Sequence, residues 1–370
     1  MKEKKDRQKG QLWRIVSVIA AAALLLGLVA VGLVRHYLGK IQRYGAEDDY
    51  TMSEEQIRQM EEKIIRQERE ESIAASIEAE KQTTSATMAP TETTSAPTEP
   101  TQAPTDAPTE PSVQTEPRVE EDYEVVNILL IGQDRRNNYE RAQSDTMILC
   151  SIDKADNTVT LTSFLRDLYV QIPGHNDGRL NAAYPIGGME LLNETLKENF
   201  GVEVDANIEV DFAGFEQIID ALGGVEVEVT KEEADHLEEF YEDVHLVPGL
   251  NHMNGEAALA YSRIRYIDSD IQRSGRQRAV LNALFDKVRG ANMMQMLSLV
   301  DTVLPLIKTD MSDKQIMEYV LEFFPMLRSC QIINQRVPMD GGYEYFDLRG
   351  MSTIKVYPNM TREMLESTTK

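Results

Sequence analysis

The chain is poor in the residues that most often hold metals or carry redox chemistry. It has two cysteines, Cys150 and Cys330, and five histidines in 370 residues. None of them stands at CxxC or mixed Cys/His spacing, so a zinc or redox centre is not expected. Cys150 lies in the apolar run 146–150 and reads as a small buried hydrophobe. Separation in sequence does not decide whether the two cysteines pair. Positive charge is also scarce: Lys and Arg number 38 against 62 Asp and Glu, a formal net charge of −24. A surface of that sign repels a phosphate backbone, which excludes nucleic acid as the expected partner. Any cluster of arginines within the acidic part of the chain therefore stands out.

Long apolar runs are absent except for one. Residues 15–34 are apolar or small, with Ser17 the only polar side chain. Twenty residues at helical rise span about 30 Å, the thickness of a bilayer core. The run is longer than a signal-peptide core and is followed by Arg35-His36-Tyr37 rather than a small-residue cleavage site, so it reads as an uncleaved anchor. Basic residues precede it in excess (Lys2, Lys4, Lys5, Arg7, Lys9 and Arg14), which orients residues 1–14 toward the cytoplasm and the rest outside. Residues 35–82 read as a charged, partly helical stalk. Residues 83–122, built from Thr, Pro, Ala, Ser and Glu, read as a disordered linker that cannot form a packed core. The folded domain is expected over residues 123–370.

Within that domain residues 125–131, 146–152 and 158–164 read as strands, the first apolar enough to be buried on both faces. A strong turn at 153–157 makes the second and third a hairpin. Asp145 then lies near Arg166, and Asp134 reaches the same sheet end if the first strand joins the second in antiparallel fashion. Two carboxylates and an arginine would meet there. A turn cap at Asp145 and a solvated Asp134 are equally consistent with the residues alone. Helices are expected over 189–200 and 212–222, and strands over 207–212 and 225–229. The alternation gives an α/β fold with a mixed central sheet flanked by helices.

The densest cationic stretch holds Arg263 and Arg265, which share a face if the segment is extended, followed by Arg273, Arg276 and Gln277 at the spacing of one helical face. Arginine forks suit phosphate oxygens. Ion pairs with the abundant carboxylates would explain the same residues.

Seven stretches in register settle on a family resemblance: 127–134 (NILLIGQD), 144–146 (SDT), 163–167 (SFLRD), 180–184 (LNAAY), 221–225 (ALGGV), 254–266 (NGEAALAYSRIRY) and 273–277 (RSGRQ). Together they resemble the LytR-CpsA-Psr family of bacterial cell-wall glycopolymer ligases. The chain departs from the usual pattern at Gln143, Leu165 and Arg179, where Arg, Pro and Lys are common. The resemblance implies transfer of a glycan phosphate from an undecaprenyl-pyrophosphate carrier to a peptidoglycan hydroxyl at the cytoplasmic membrane, with Mg²⁺ near the pyrophosphate. It implies that Asp134 and Asp145 serve the metal and the attacking hydroxyl, that Arg166, Arg263 and Arg265 act on the pyrophosphate, and that Arg179, Arg273, Arg276 and Gln277 bind substrate. A hydrolase of the same linkage, or a non-catalytic polyprenyl- or glycan-binding wall regulator, would share most of these features.

Overall fold

A computed structural model describes residues 125–133, 143–265, 267–290, 302–348 and 351–369, with the isolated residues 39, 42–44, 66 and 69. The expected anchor at 15–34, the linker at 83–122 and nearly all of the stalk lie outside the described residues, as does Asp134. Among the described residues no helix is long and apolar enough to cross a membrane.

Thirteen strands are described, several of only two residues. In chain order they are β1 (Gln42–Arg43), β2 (Val126–Gln133), β3 (Ser144–Asp153), β4 (Thr158–Phe164), β5 (Tyr169–Val170), β6 (Gly178–Arg179), β7 (Ala206–Asp211), β8 (Val225–Val229), β9 (Gly249–Met253), β10 (Lys308–Thr309), β11 (Gln331–Val337), β12 (Tyr343–Leu348) and β13 (Met351–Val356). The α-helices of four turns or fewer and the longer ones between them are α1 (Ala183–Phe200), α2 (Phe212–Ala221), α3 (Lys231–Phe240), α4 (Gly255–Arg263), α5 (Asp270–Gly290), α6 (Asp313–Leu327) and α7 (Pro358–Glu366).

Seven strands form one mixed sheet in the order β1-β10-β7-β2-β3-β4-β11. β3 is antiparallel to β4, as the turn at 153–157 predicts, and also to β2, the pairing that would carry the end of the first strand to the same edge. β7 pairs with β2 in parallel, and β11 with β4 in parallel. Hence β2, β4, β7 and β11 all point one way and deliver their C-terminal ends to one edge. Open α/β sheets commonly bind ligands outside that edge.

Alternate residues send their side chains to opposite faces. Leu129, Ile131, Met147 and Leu149 pack on one face with Tyr184, Leu192 and Leu196 of α1. Ile128, Ile148, Cys150 and Leu161 pack on the other with Phe323 of α6, and with Leu281 and Phe285 of α5. Both cysteines are free and buried; burial, reinforced by Cys330, pushes the Cys150 thiol up to about 12, so it behaves as the expected small hydrophobe. A third core lies under the β8–β9 hairpin, whose valines alternate inward while its glutamates face out.

The expected helix over 189–200 is present, extended backward to Ala183 across a break at Gly187 and Gly188. Gly188 takes φ 66°, a left-handed conformation that glycine adopts without steric cost. Helices α2 and α4 meet closely at Gly255, where a Cβ would sit 2.3 Å from the backbone oxygen of Glu216. The Gly255 N–H also donates to Asp220 at 2.8 Å. Because the obstacle is backbone, Gly255→Ala should force the two helices apart and cost about 1–3 kcal/mol, as overpacking does. Urea unfolding of the variant reads this directly; an unchanged midpoint would contradict the close crossing.

A charged edge at the ends of four parallel strands

Asp145 reaches the sheet edge through a local irregularity. Gly132 pairs with Thr146, but the next residue, Gln133, pairs with Ser144. Asp145 is thereby left as the extra residue of a bulge, a device that re-aims a side chain. The approach at this point is tight: a Cβ on Gly132 would lie 3.0 Å from the Thr146 Cβ. The Asp145 carboxylate accepts from the Arg166 guanidinium at 3.0 Å, the proximity that the hairpin predicts.

Arg166 is 5% exposed and lies at the centre of a larger network. Its Nε is 3.6 Å from Asp167 and 3.7 Å from Asp270. Asp167 also faces Arg179 at 3.2 Å, and Asp270 is paired with Arg273 one helical turn further on. Arg179 donates to the carbonyl of Ser352 in β13, which ties the C-terminal hairpin to the edge. The Asp167 peptide makes the same connection through its carbonyl, which accepts from the Ile354 N–H. Three carboxylates thus face three guanidiniums, a balance that lets buried charge persist. Burial pushes the Asp167 carboxyl up, and Asp270 adds to this, while Arg166, Arg179 and Arg273 oppose it.

The remaining expected arginines are placed differently from one another. Arg263 is the last residue of α4, so the segment is helical there rather than extended. Its guanidinium is exposed and lies 4.6 Å from the centre of the Phe212 ring. Phe212 starts α2 directly after Asp211, which pairs with Gln133, so Arg263 stands over the same sheet edge. No carboxylate among the described residues is within ion-pair distance of it. Buried Ile264 turns the chain, and half-buried Arg265 follows.

Arg276 is turned away from this edge. Its guanidinium donates to Glu233 at 2.6 Å, to the Ile264 carbonyl at 3.2 Å and to both oxygens of Asp268. It therefore braces α5 against α3 and the loop after α4, whereas Arg273, three residues earlier, belongs to the Arg166 network. The single helical face expected for these two arginines divides between two sets of acids. Gln277 follows on α5 and is half-buried. Sequence reasoning did not single out Asp167 or Asp270 as site residues. Their adjacency to Arg166 and Arg273 was the available signal, but their partners come from elements far apart in the chain.

Magnesium normally takes one or two carboxylates and completes its shell with water and substrate phosphates. The exposed part of the Asp145 carboxylate supplies hard oxygen donors of that kind at the edge. Among the described residues no three or more His, Cys, Asp or Glu side chains are arranged to hold a metal ion together. The network does carry a pH signature. Folding raises Asp167 above its ordinary value of 3.8, so the folded chain holds that proton more tightly than the unfolded one. The associated stability is present at low pH and is lost as pH rises through the raised value. The melting temperature of the wild type relative to Asp167→Asn should accordingly fall with rising pH across this window; a difference independent of pH would contradict the assignment.

A family model for LytR_cpsA_psr matches residues 77–362. The chain is 33% identical over 224 residues to a Bacillus cereus protein named polyisoprenyl-teichoic acid–peptidoglycan teichoic acid transferase TagU, covering 59% of this chain and 70% of that one. The crystal structure of Bacillus subtilis TagT superposes with a TM-score of 0.55 at 26% identity, covering 70% of this chain and 93% of that one. A structure of TagT with bound octaprenyl pyrophosphate lipid superposes with a TM-score of 0.53 at 25% identity, covering 66% of this chain and 90% of that one. With the family model spanning most of the chain and the mixed sheet shared with solved members, the protein belongs to the LytR-CpsA-Psr family.

Proposed function

We propose that the protein transfers a glycan phosphate from an undecaprenyl-pyrophosphate carrier to a hydroxyl of peptidoglycan. The observation that carries this reading is the charged edge itself: an exposed arginine with no carboxylate of the described residues in ion-pair distance stands over the sheet edge that also carries a carboxylate aimed by a bulge and a buried arginine network. Relatives named as teichoic acid transferases, and a relative that holds a polyprenyl pyrophosphate, support the substrate class.

In this reading the acceptor oxygen forms a bond to the phosphorus next to the sugar. The bond from that phosphorus to the bridging oxygen breaks, and polyprenyl phosphate leaves with the electron pair. The hydroxyl proton passes to the Asp145 carboxylate at the edge, or to Asp134, which the family resemblance pairs with it. Arg263, with Arg265 beyond it, neutralises charge on the diphosphate, and Arg166 does so from below while fixing Asp145. Gln277 adds a neutral hydrogen bond to the phosphate. Arg179, Arg273 and Arg276 serve the substrate indirectly, by holding Asp167, Asp270 and the loop that presents Arg265. Asp134 and Asp145 would hold Mg²⁺, which would supply further charge neutralisation at the pyrophosphate. The apolar run at 15–34 would anchor the chain in the cytoplasmic membrane with the domain outside, where lipid-linked donor and wall acceptor meet.

The test uses the full chain, a polyprenyl-pyrophosphate-linked glycan and a peptidoglycan acceptor. Arg263→Ala should lower kcat/KM by about 10²–10³, the usual cost of losing one transition-state charge contact. Asp145→Ala should lower it by at least about 10². Turnover that survives either change would sink the assignment, and equal release of polyprenyl phosphate without acceptor would identify a hydrolase instead.

A further inference from the structure

Outside the Arg166 network, a second pair of arginines lies on the opposite face of the same sheet end. Arg278 of α5 donates to the Ser163 hydroxyl at 2.6 Å, and its Nη1 lies 3.4 Å from the Ser274 hydroxyl one helical turn earlier. Ser163 is 2% exposed and Ser274 is 4% exposed, so the guanidinium is drawn down toward the protein. Arg336 of β11 stands beside Ser163 in register on the neighbouring parallel strand. Its own ion pair is with Asp340, whose side chain is 92% exposed, and such pairs contribute little. No carboxylate among the described residues is within ion-pair distance of Arg278.

That absence is informative in a chain with 62 acidic residues. Arg166, Arg179, Arg273 and Arg276 each have at least one carboxylate. Arg278 is partly buried with two neutral hydroxyls and a second cation nearby. Burial first, and then the Arg336 charge, pull its guanidinium below the usual range. Desolvated positive charge of this kind is compensated when an anion accepts from the free guanidinium edge. The Ser274 hydroxyl gives its own proton to the Ile271 carbonyl at 2.8 Å, so the two buried serines act as acceptors that orient the Arg278 guanidinium and leave its outer edge for an anion.

We propose that Arg278, oriented by Ser163 and Ser274, and Arg336 beside it form an anion subsite that takes a phosphodiester of the glycan chain itself, separate from the pyrophosphate being cleaved. This rests on the transfer reading above and narrows its substrate to a phosphate-bearing polymer. Both sites lie at one sheet end: Ser163 is three residues before Arg166, and Arg278 is five residues beyond Arg273 on α5.

The experiment compares two donors on the full-length protein: one carries a single uncharged sugar, and the other is the same molecule extended by phosphodiester-linked repeats. Arg278→Gln should raise KM for the extended donor by about 10-fold or more, the cost of a charge-assisted hydrogen bond. The KM for the short donor and kcat for both should stay as in the wild type, and Arg278→Lys should recover part of the loss. An equal change for both donors, or none for either, overturns the subsite. A second arm needs no turnover: calorimetry with a soluble poly(glycerol phosphate) oligomer should show binding that Arg278→Gln abolishes while its melting temperature is kept. Unchanged binding in that variant overturns the subsite as well. If the wild type turns over neither donor, the transfer reading fails, and the calorimetric arm still decides the anion site.

Discussion

The structure depends on a buried arginine whose charge is shared among three carboxylates. Arg166 sits just beyond β4, and through Asp145, Asp167 and Asp270 it joins the start of β3, its own loop and the start of α5. Arg179 and Arg273 extend the network to β6 and further along α5, and Arg179 continues it to β13. Removing water from so many ions costs several kcal/mol each, which is recovered only if every charge keeps its partner. Loss of one member therefore leaves the others uncompensated, at roughly 3–5 kcal/mol for a single buried partner. Such a network is an expensive way to gain stability, and its value lies in position. It holds Asp145 at a fixed point of the sheet edge and keeps the helix that carries Arg273, Gln277 and Arg278 in place.

The same accounting separates the arginines by role. Arg166, Arg179, Arg273 and Arg276 are buried with carboxylates of the domain, so their charge is largely spoken for. Arg263 has an aromatic face beneath it and no carboxylate of the described residues within ion-pair distance, although Glu216 lies near enough to feel its charge. Arg278 has hydroxyls in place of acids. A domain with a large excess of acidic residues could have paired both. In the proposed reading, these two positions are where negative charge from outside is accommodated.

Much of the frame was legible in the sequence because it is local. The turn at 153–157 between two apolar strands makes β3 and β4 a hairpin, and that hairpin alone brings Asp145 to Arg166; the antiparallel place of β2 beside β3 is shown by the structure. The motifs in register also carry the family resemblance that the family model bears out. What could not be read depends on partners remote in the chain. Arg276 finds Glu233 of α3, 43 residues away. Arg179 finds Ser352, 173 residues away, and Arg278 finds Ser163 across 115 residues. Helical spacing placed Arg273 and Arg276 on one face, but their long side chains reach in different directions to different acids. The alternation rule applied to Arg263 and Arg265 presumed an extended segment, whereas α4 continues through Arg263.

The central claim is that the edge formed by Asp145, Arg166 and Arg263 receives a diphosphate. A crystal of the protein soaked with a short-chain polyprenyl pyrophosphate tests it most directly. The account predicts diphosphate density within hydrogen-bonding distance of Arg263, against the Asp145–Arg166 pair at the C-terminal ends of β2 and β4. Density for the diphosphate elsewhere, with Arg263 still stacked on Phe212 and contacting no phosphate oxygen, would contradict it.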